Sequence, residues 1–113
     1  MKKLLIIVFS LLFLGACSNE LYKYYDYDNL LYAYSSREFS EKEIKKFSKK
    51  YSRIVDSPKG KRNLPPPGAC VEYGYILFLQ GKTKEAKEYL MKEAIIYPES
   101  QVYVNSLIKT LGL

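Results

Sequence analysis

Residues 67–98 read PGACVEYGYILFLQGKTKEAKEYLMKEAIIYP, and this stretch decides the fold. Cys70, Val71, Tyr73, Tyr75, Ile76, Leu77, Phe78 and Leu79 leave almost no polar face. A helix that is apolar nearly all round is a central one. Taken alone, Tyr73 to Leu79 also fits a buried strand, because a short apolar run does not separate the two. The residues that follow favour the helix. Gly81 interrupts the run, and Ala86, Leu90 and Ala94 then recur at spacings of four until Pro98. The pattern predicts a helical hairpin, with one helix from about Gly68 to Gln80 and a second ending near Tyr97. Glu88 and Lys92 are placed as an i, i+4 ion pair on its outer face.

The hairpin resembles the tetratricopeptide repeat, whose period is about 34 residues. With Pro67 at the first repeat position, Gly74 falls where two helices cross closely and Gly81 falls on the turn. Ala86 takes the small packing position of the second helix, Leu90 its large apolar position, and Pro98 the terminating proline. Cys70 stands where Trp is common, and Glu93 where Ala is common. Only one repeat is visible. A single repeat does not bury its own apolar face, so flanking helices or a partner must cover it.

Helices are expected on both sides. Ser57 to Pro67 is loop, because Pro58, Gly60 and the run Pro65-Pro66-Pro67 forbid continuous helix. Before it, Ser40-Glu41-Lys42-Glu43 is a capping box. The helix it opens should run to about Asp56, with Ile44, Phe47, Tyr51 and Ile54 on one face. Asp28 is placed to cap a short helix carrying Leu30, Leu31, Tyr32 and Tyr34, stopped near Ser35-Ser36. After the hairpin, Ser100 is the expected cap of a last helix bearing Tyr103, Val104, Leu107, Ile108 and Leu111, with Gly112 at its end. The expected fold is all-α, a domain over 28–113 built around one tetratricopeptide-like hairpin.

The N-terminus has a different character. Met1-Lys2-Lys3 is a short cationic start, and Leu4 to Leu14 is apolar apart from Ser10. That run is shorter than the roughly 20 residues a spanning helix needs, so it reads as an export signal. Leu14-Gly15-Ala16-Cys17 resembles the lipobox of bacterial lipoproteins at all four positions. The resemblance implies cleavage after residue 16, a diacylglyceryl thioether and an N-acyl chain on Cys17, and a tether over 17–27. The alternative is an ordinary signal peptide followed by an incidental Cys. Ser18 after the lipidated Cys implies the outer membrane, facing the periplasm, or the plasma membrane exterior where the organism has a single membrane. Two or three acyl chains anchor stably, at about 0.8 kcal/mol per buried methylene.

Composition excludes much chemistry. The 113 residues contain no His, which removes Ser–His–Asp and Cys–His catalysis and His-ligated metals. With Cys17 lipidated, Cys70 has no intramolecular partner, and its apolar neighbours favour a buried thiol over an intermolecular disulfide. The close carboxylate pairs, Asp26/Asp28 and Glu41/Glu43, lie in a tether and a capping turn rather than across a cleft. No catalytic residue, metal site or cofactor is expected. Glu72 falls in the first turn of the apolar helix. It reads as a favourable dipole contact or as a buried polar anchor for a partner.

Two surface features carry the interaction readings. Lys42, Lys45, Lys46, Lys49, Lys50 and Arg53 form one face of the second predicted helix, in a chain of net charge +6. That face is either simply solvated or a contact for anionic lipid or an acidic partner. An exported protein meets no cytosolic nucleic acid. Tyr22 to Tyr34 holds six of the 12 tyrosines. Tyr32 and Tyr34 are expected to pack onto the repeat, with Tyr22, Tyr24, Tyr25 and Tyr27 along the tether.

The region from about Tyr22 to Leu111 resembles a family of small bacterial lipoproteins of unknown function. The resemblance is carried by YDNLLYAY (27–34), PPG (66–68), EYGY (72–75), QGKTKEA (80–86) and YPES (97–100). It implies a non-catalytic accessory of envelope assembly, partnered with another envelope protein. Members tend to be encoded beside curli-secretion-type outer-membrane lipoproteins. The alternative class is a structural lipoprotein that assembles with itself.

Overall fold

The computed structural model describes residues 1–14, 27–36 and 39–113, and every regular element within them is helical. The helices are α1 (Lys2–Leu14), α2 (Tyr27–Ser36), α3 (Glu41–Asp56), α4 (Ala69–Leu79), α5 (Thr83–Ile96) and α6 (Gln101–Leu111). A 3-10 turn, Pro98–Ser100, joins the last two. The buried-strand alternative for Tyr73 to Leu79 is thereby removed.

Local chemistry sets most helix ends. Ser40 caps α3 as a full capping box: its hydroxyl accepts the Glu43 N–H at 3.3 Å, and the Glu43 carboxylate accepts the Ser40 N–H at 3.3 Å. At the end of α4, Gly81 has φ +77°, a left-handed backbone that glycine adopts without a Cβ penalty. The Lys82 N–H then reaches back to the Leu77 carbonyl at 3.0 Å, closing α4 so that α5 starts at the next residue, Thr83. Pro98 opens the 3-10 turn, where its missing N–H costs nothing. Gly112 ends α6, and the Leu113 N–H returns to Ile108 at 3.0 Å.

Ser100 does not cap α6 as expected. It is the last residue of the 3-10 turn, its backbone is already helical, and its hydroxyl donates back to the Tyr97 carbonyl at 2.7 Å. α2 begins at Tyr27, one residue before the expected cap Asp28.

From α2 to α6, each helix packs on the next in the chain. α4 and α5 run antiparallel: Gly68 meets Glu93 at one end and Gly74 meets Ala86 and Leu90 midway. α4 is the centre, with Ala69, Cys70, Tyr73, Gly74, Ile76 and Leu77 buried. α3 adds Phe47, Tyr51, Ile54 and Val55, α5 adds Ala86 and Leu90, and α6 adds Val104. Pro65 and Pro66 are also buried, and the Pro65 carbonyl accepts the Tyr97 hydroxyl at 2.6 Å. The proline loop is therefore pinned to the end of α5.

Aromatic edges seat α2. Tyr27 and Tyr34 both meet Tyr51 edge-on, at 6.3 and 5.9 Å between ring centres. Tyr34 continues to Phe39 at 5.2 Å, and Phe39 to Phe47 at 5.6 Å. Edge-to-face pairs add about 0.5–1.5 kcal/mol each beyond area burial. This arrangement corrects the expected division of the tyrosines. Tyr27, read as the end of the tether, is buried, whereas Tyr32 is 76% exposed. Tyr27 and Tyr34 are seven residues apart on α2 and share its inner face, while Tyr32 lies between them on the outer one. Tyr22, Tyr24 and Tyr25 lie outside the described residues.

α1 exposes Leu4 to Phe9. Among the described residues, no helix is long and apolar enough to cross a membrane.

Candidate functional site

The centre of the domain holds a carboxyl shared by three helices. Glu72, in the first turn of α4, accepts the Tyr27 hydroxyl of α2 at 2.8 Å and the Tyr51 hydroxyl of α3. Burial raises its pKa above the ordinary 4.5, against the lowering effect of the two phenol donors. The same environment pushes the Tyr51 hydroxyl strongly upward, first by burial and then by Glu72. Glu72 is therefore an internal tie between helices, not chiefly a dipole contact in its own helix.

A second carboxyl completes the start of α4. Its N-cap is Gly68, which has no side chain to satisfy the first amides. Glu93 does this from the neighbouring helix. It is 2% exposed and accepts the Gly68 N–H at 2.6 Å through Oε1, and the Cys70 and Val71 amides face the same carboxyl. Burial outweighs these donors and raises its pKa. Oε2 makes no hydrogen bond. In the sequence Glu93 stands out only as a departure from the repeat pattern. The only local hint is an acidic residue at a repeat position that usually carries a small apolar one; its partner, 25 residues away, is set by the packing of α5 on α4.

The cations of α3 face solvent. Lys42, Lys45, Lys46, Lys49, Lys50 and Arg53 are all exposed, and Phe47, Tyr51 and Ile54 are buried on the other side of α3. Lys42, Lys46 and Lys50 edge a groove of about 500 Å³ between α2 and α3, floored by Leu30, Ala33 and Phe47. Asn29, Ser40 and Glu43 complete its lining, so three cations and one carboxylate border the apolar residues.

Of the other expected residues, Gly74, Ala86 and Leu90 come together. A Cβ on Gly74 would lie 3.0 Å from the Leu90 side chain and 3.1 Å from the Ala86 carbonyl oxygen. Gly81 lies at the turn between α4 and α5, and Pro98 follows the end of α5. Cys70 is a free, fully buried thiol, pushed up to about 12 first by burial and then by Glu93. Lys92 donates to the Val55 carbonyl at 3.1 Å and lies over the Tyr89 ring. It ties α5 to α3, a role the outer-face pairing with Glu88 did not anticipate. Gly15, Ala16 and Cys17 of the lipobox-like run lie outside the described residues, and Leu14 closes α1. Among the described residues, no group of three or more His, Cys, Asp or Glu is arranged to hold a metal ion.

These features define a small all-helical protein whose helices pack in chain order around α4. The chain belongs to the family described as a domain of unknown function (DUF4810), whose profile matches residues 21–107. No curated protein and no solved structure matches the chain.

Proposed function

We propose that the chain is a lipid-anchored, non-catalytic interaction module of the bacterial envelope, docking on another envelope protein at a secretion or surface-assembly complex of the outer membrane. The observation that carries the docking reading is the exposed six-cation face of α3 beside an apolar-floored groove. The lipobox at Leu14 to Cys17 supports the anchor. The close crossing at Gly74, with Gly81 and Pro98 in register, supports a tetratricopeptide-like hairpin. An anchor confines the module to one membrane face and raises its effective concentration near other membrane components.

A second reading has an observation of its own. On α6, Val102 is 83% exposed and Tyr103 is 59% exposed, at the edge where a further helix pair of a repeat array would pack. That edge favours a structural lipoprotein assembling with its own copies.

The test has two arms. Cys17→Ser should leave a precursor that incorporates no labelled palmitate; normal labelling of this variant overturns the anchor. Affinity capture from detergent-solubilised membranes should yield a stoichiometric complex with a different envelope protein. Recovery of homo-oligomers alone would favour self-assembly instead.

A further inference from the structure

We propose that the cleft between α2, α4, the end of α5 and the start of α6 takes the cationic side chain of a lysine or arginine from a partner protein. The cleft has a volume of about 380 Å³, and Val71, Tyr97 and Tyr103 line it together with the carboxyls of Glu72, Glu93 and Glu99. That volume is at the small end of ligand sites, enough for one long side chain.

Charge points to the ligand. In a chain of net charge +6, three acidic residues line this cleft, and among the described residues no Lys or Arg lines it. Two of the three feel a neighbouring carboxyl as well as their burial: Glu93 adds to the raised pKa of Glu72, and Glu99 to that of Glu93. The buried Glu93 is only partly satisfied by the Gly68 N–H and the Cys70 and Val71 amides that face it. Its Oε2 has no hydrogen-bond partner, although nearly all buried polar atoms have one. A cationic donor entering the cleft would supply the missing partner and relieve the mutual repulsion. Charge-assisted hydrogen bonds of this kind are the stronger ones.

Shape points to a protein-borne cation. The tyrosine and valine walls suit the methylene stem of lysine or arginine, and tyrosine faces attract the cationic head. Beyond the cleft, Tyr103 and Val102 offer exposed apolar surface against which the backbone beside that side chain can lie. The inference rests on the cleft alone and is independent of the membrane anchor.

The probe is a blocked Ala-Ala-Lys-Ala-Ala peptide, titrated into the full chain in detergent and followed by backbone amide NMR. Saturable shifts are expected at Gly68, Val71, Ser100 and Tyr103, absent when norleucine replaces the lysine. Glu99→Gln, at an exposed position, should weaken binding roughly tenfold or more without changing the melting temperature. Glu93→Gln keeps an acceptor for the Gly68 N–H and should weaken binding as well. No shifts, equal shifts with the norleucine peptide, or wild-type affinity in both variants overturns the proposal. Butylammonium binding as tightly as the peptide would overturn the protein-borne origin of the cation.

Discussion

At the residue scale, Gly74 shows two effects in competition. Glycine inside a helix costs about 1 kcal/mol relative to alanine. Its value here is the close crossing, since any Cβ would press on Leu90 and on the Ala86 backbone oxygen, which moves only with its helix. Gly74→Leu should therefore overpack the contact and cost about 1–3 kcal/mol, lowering the melting temperature by about 4–8 °C per kcal/mol in a domain this size. Gly60→Leu, although it lies in a loop, is not a neutral comparator: Gly60 has φ +101°, which strains any other residue. Lys87→Leu, at an exposed position of α5, is the fitting control and should melt nearly as wild type. Equal melting of both leucine variants would show that the crossing is looser than drawn. Cys70 gives a second residue-scale expectation. Fully buried and with its thiol pushed up to about 12, it should resist iodoacetamide at pH 8 and react only in denaturant. Rapid labelling of the folded protein would contradict this.

At the scale of the element, α3 separates stability from contact. Its start depends on Ser40, so Ser40→Ala should cost about 1 kcal/mol in urea unfolding through loss of the cap. Its stability depends on Phe47, Tyr51, Ile54 and Val55, which are buried. Its cations are on the opposite, solvated side. Reversing Lys45, Lys49 and Arg53 to Glu should leave the fold intact, as judged by circular dichroism. The same variant should lose flotation with anionic vesicles and capture of an acidic partner, and added salt should weaken both in wild type. Unchanged flotation and capture would leave the face as a solvated surface. α4 depends more on its neighbours. Its N-terminus is satisfied by Glu93 from α5, and its first-turn carboxyl is held by tyrosines from α2 and α3.

At the scale of the whole molecule, those two carboxyls link stability to pH. Burial raises the folded pKa of Glu72 and of Glu93 above the ordinary 4.5. The folded state therefore holds their protons more tightly than the unfolded chain. The stability this confers is fully present below pH 4.5 and is lost as pH rises through the raised folded values. Urea unfolding followed upward from pH 4.5 should show this decline. Glu72→Gln/Glu93→Gln should flatten it, because neither side chain titrates. An identical slope in the double variant would mean that other groups carry the linkage.

Much of the fold was legible in order along the chain. The capping box at Ser40, the apolar run of 70–79, the break at Gly81 and the stop at Pro98 are local signals, and each acts within a few residues of itself. The basic face was legible for the same reason, since helical spacing alone puts those six cations together. The long-range pairings were not legible. Tyr27 looks like part of a tyrosine-rich tether until Tyr51 and Glu72 are brought beside it. Glu93 looks like a misfit in a repeat until the bare N-terminus of α4 lies against it. The cleft shared by Glu72, Glu93 and Glu99 draws its walls from residues 34 to 103. By itself, then, the sequence determined where helices start, stop and carry charge, because those choices are made by neighbouring residues. Which tyrosines became core, which carboxyls were buried, and what cavity they enclose were decided only when distant helices packed, because burial depends on the partner rather than on the residue.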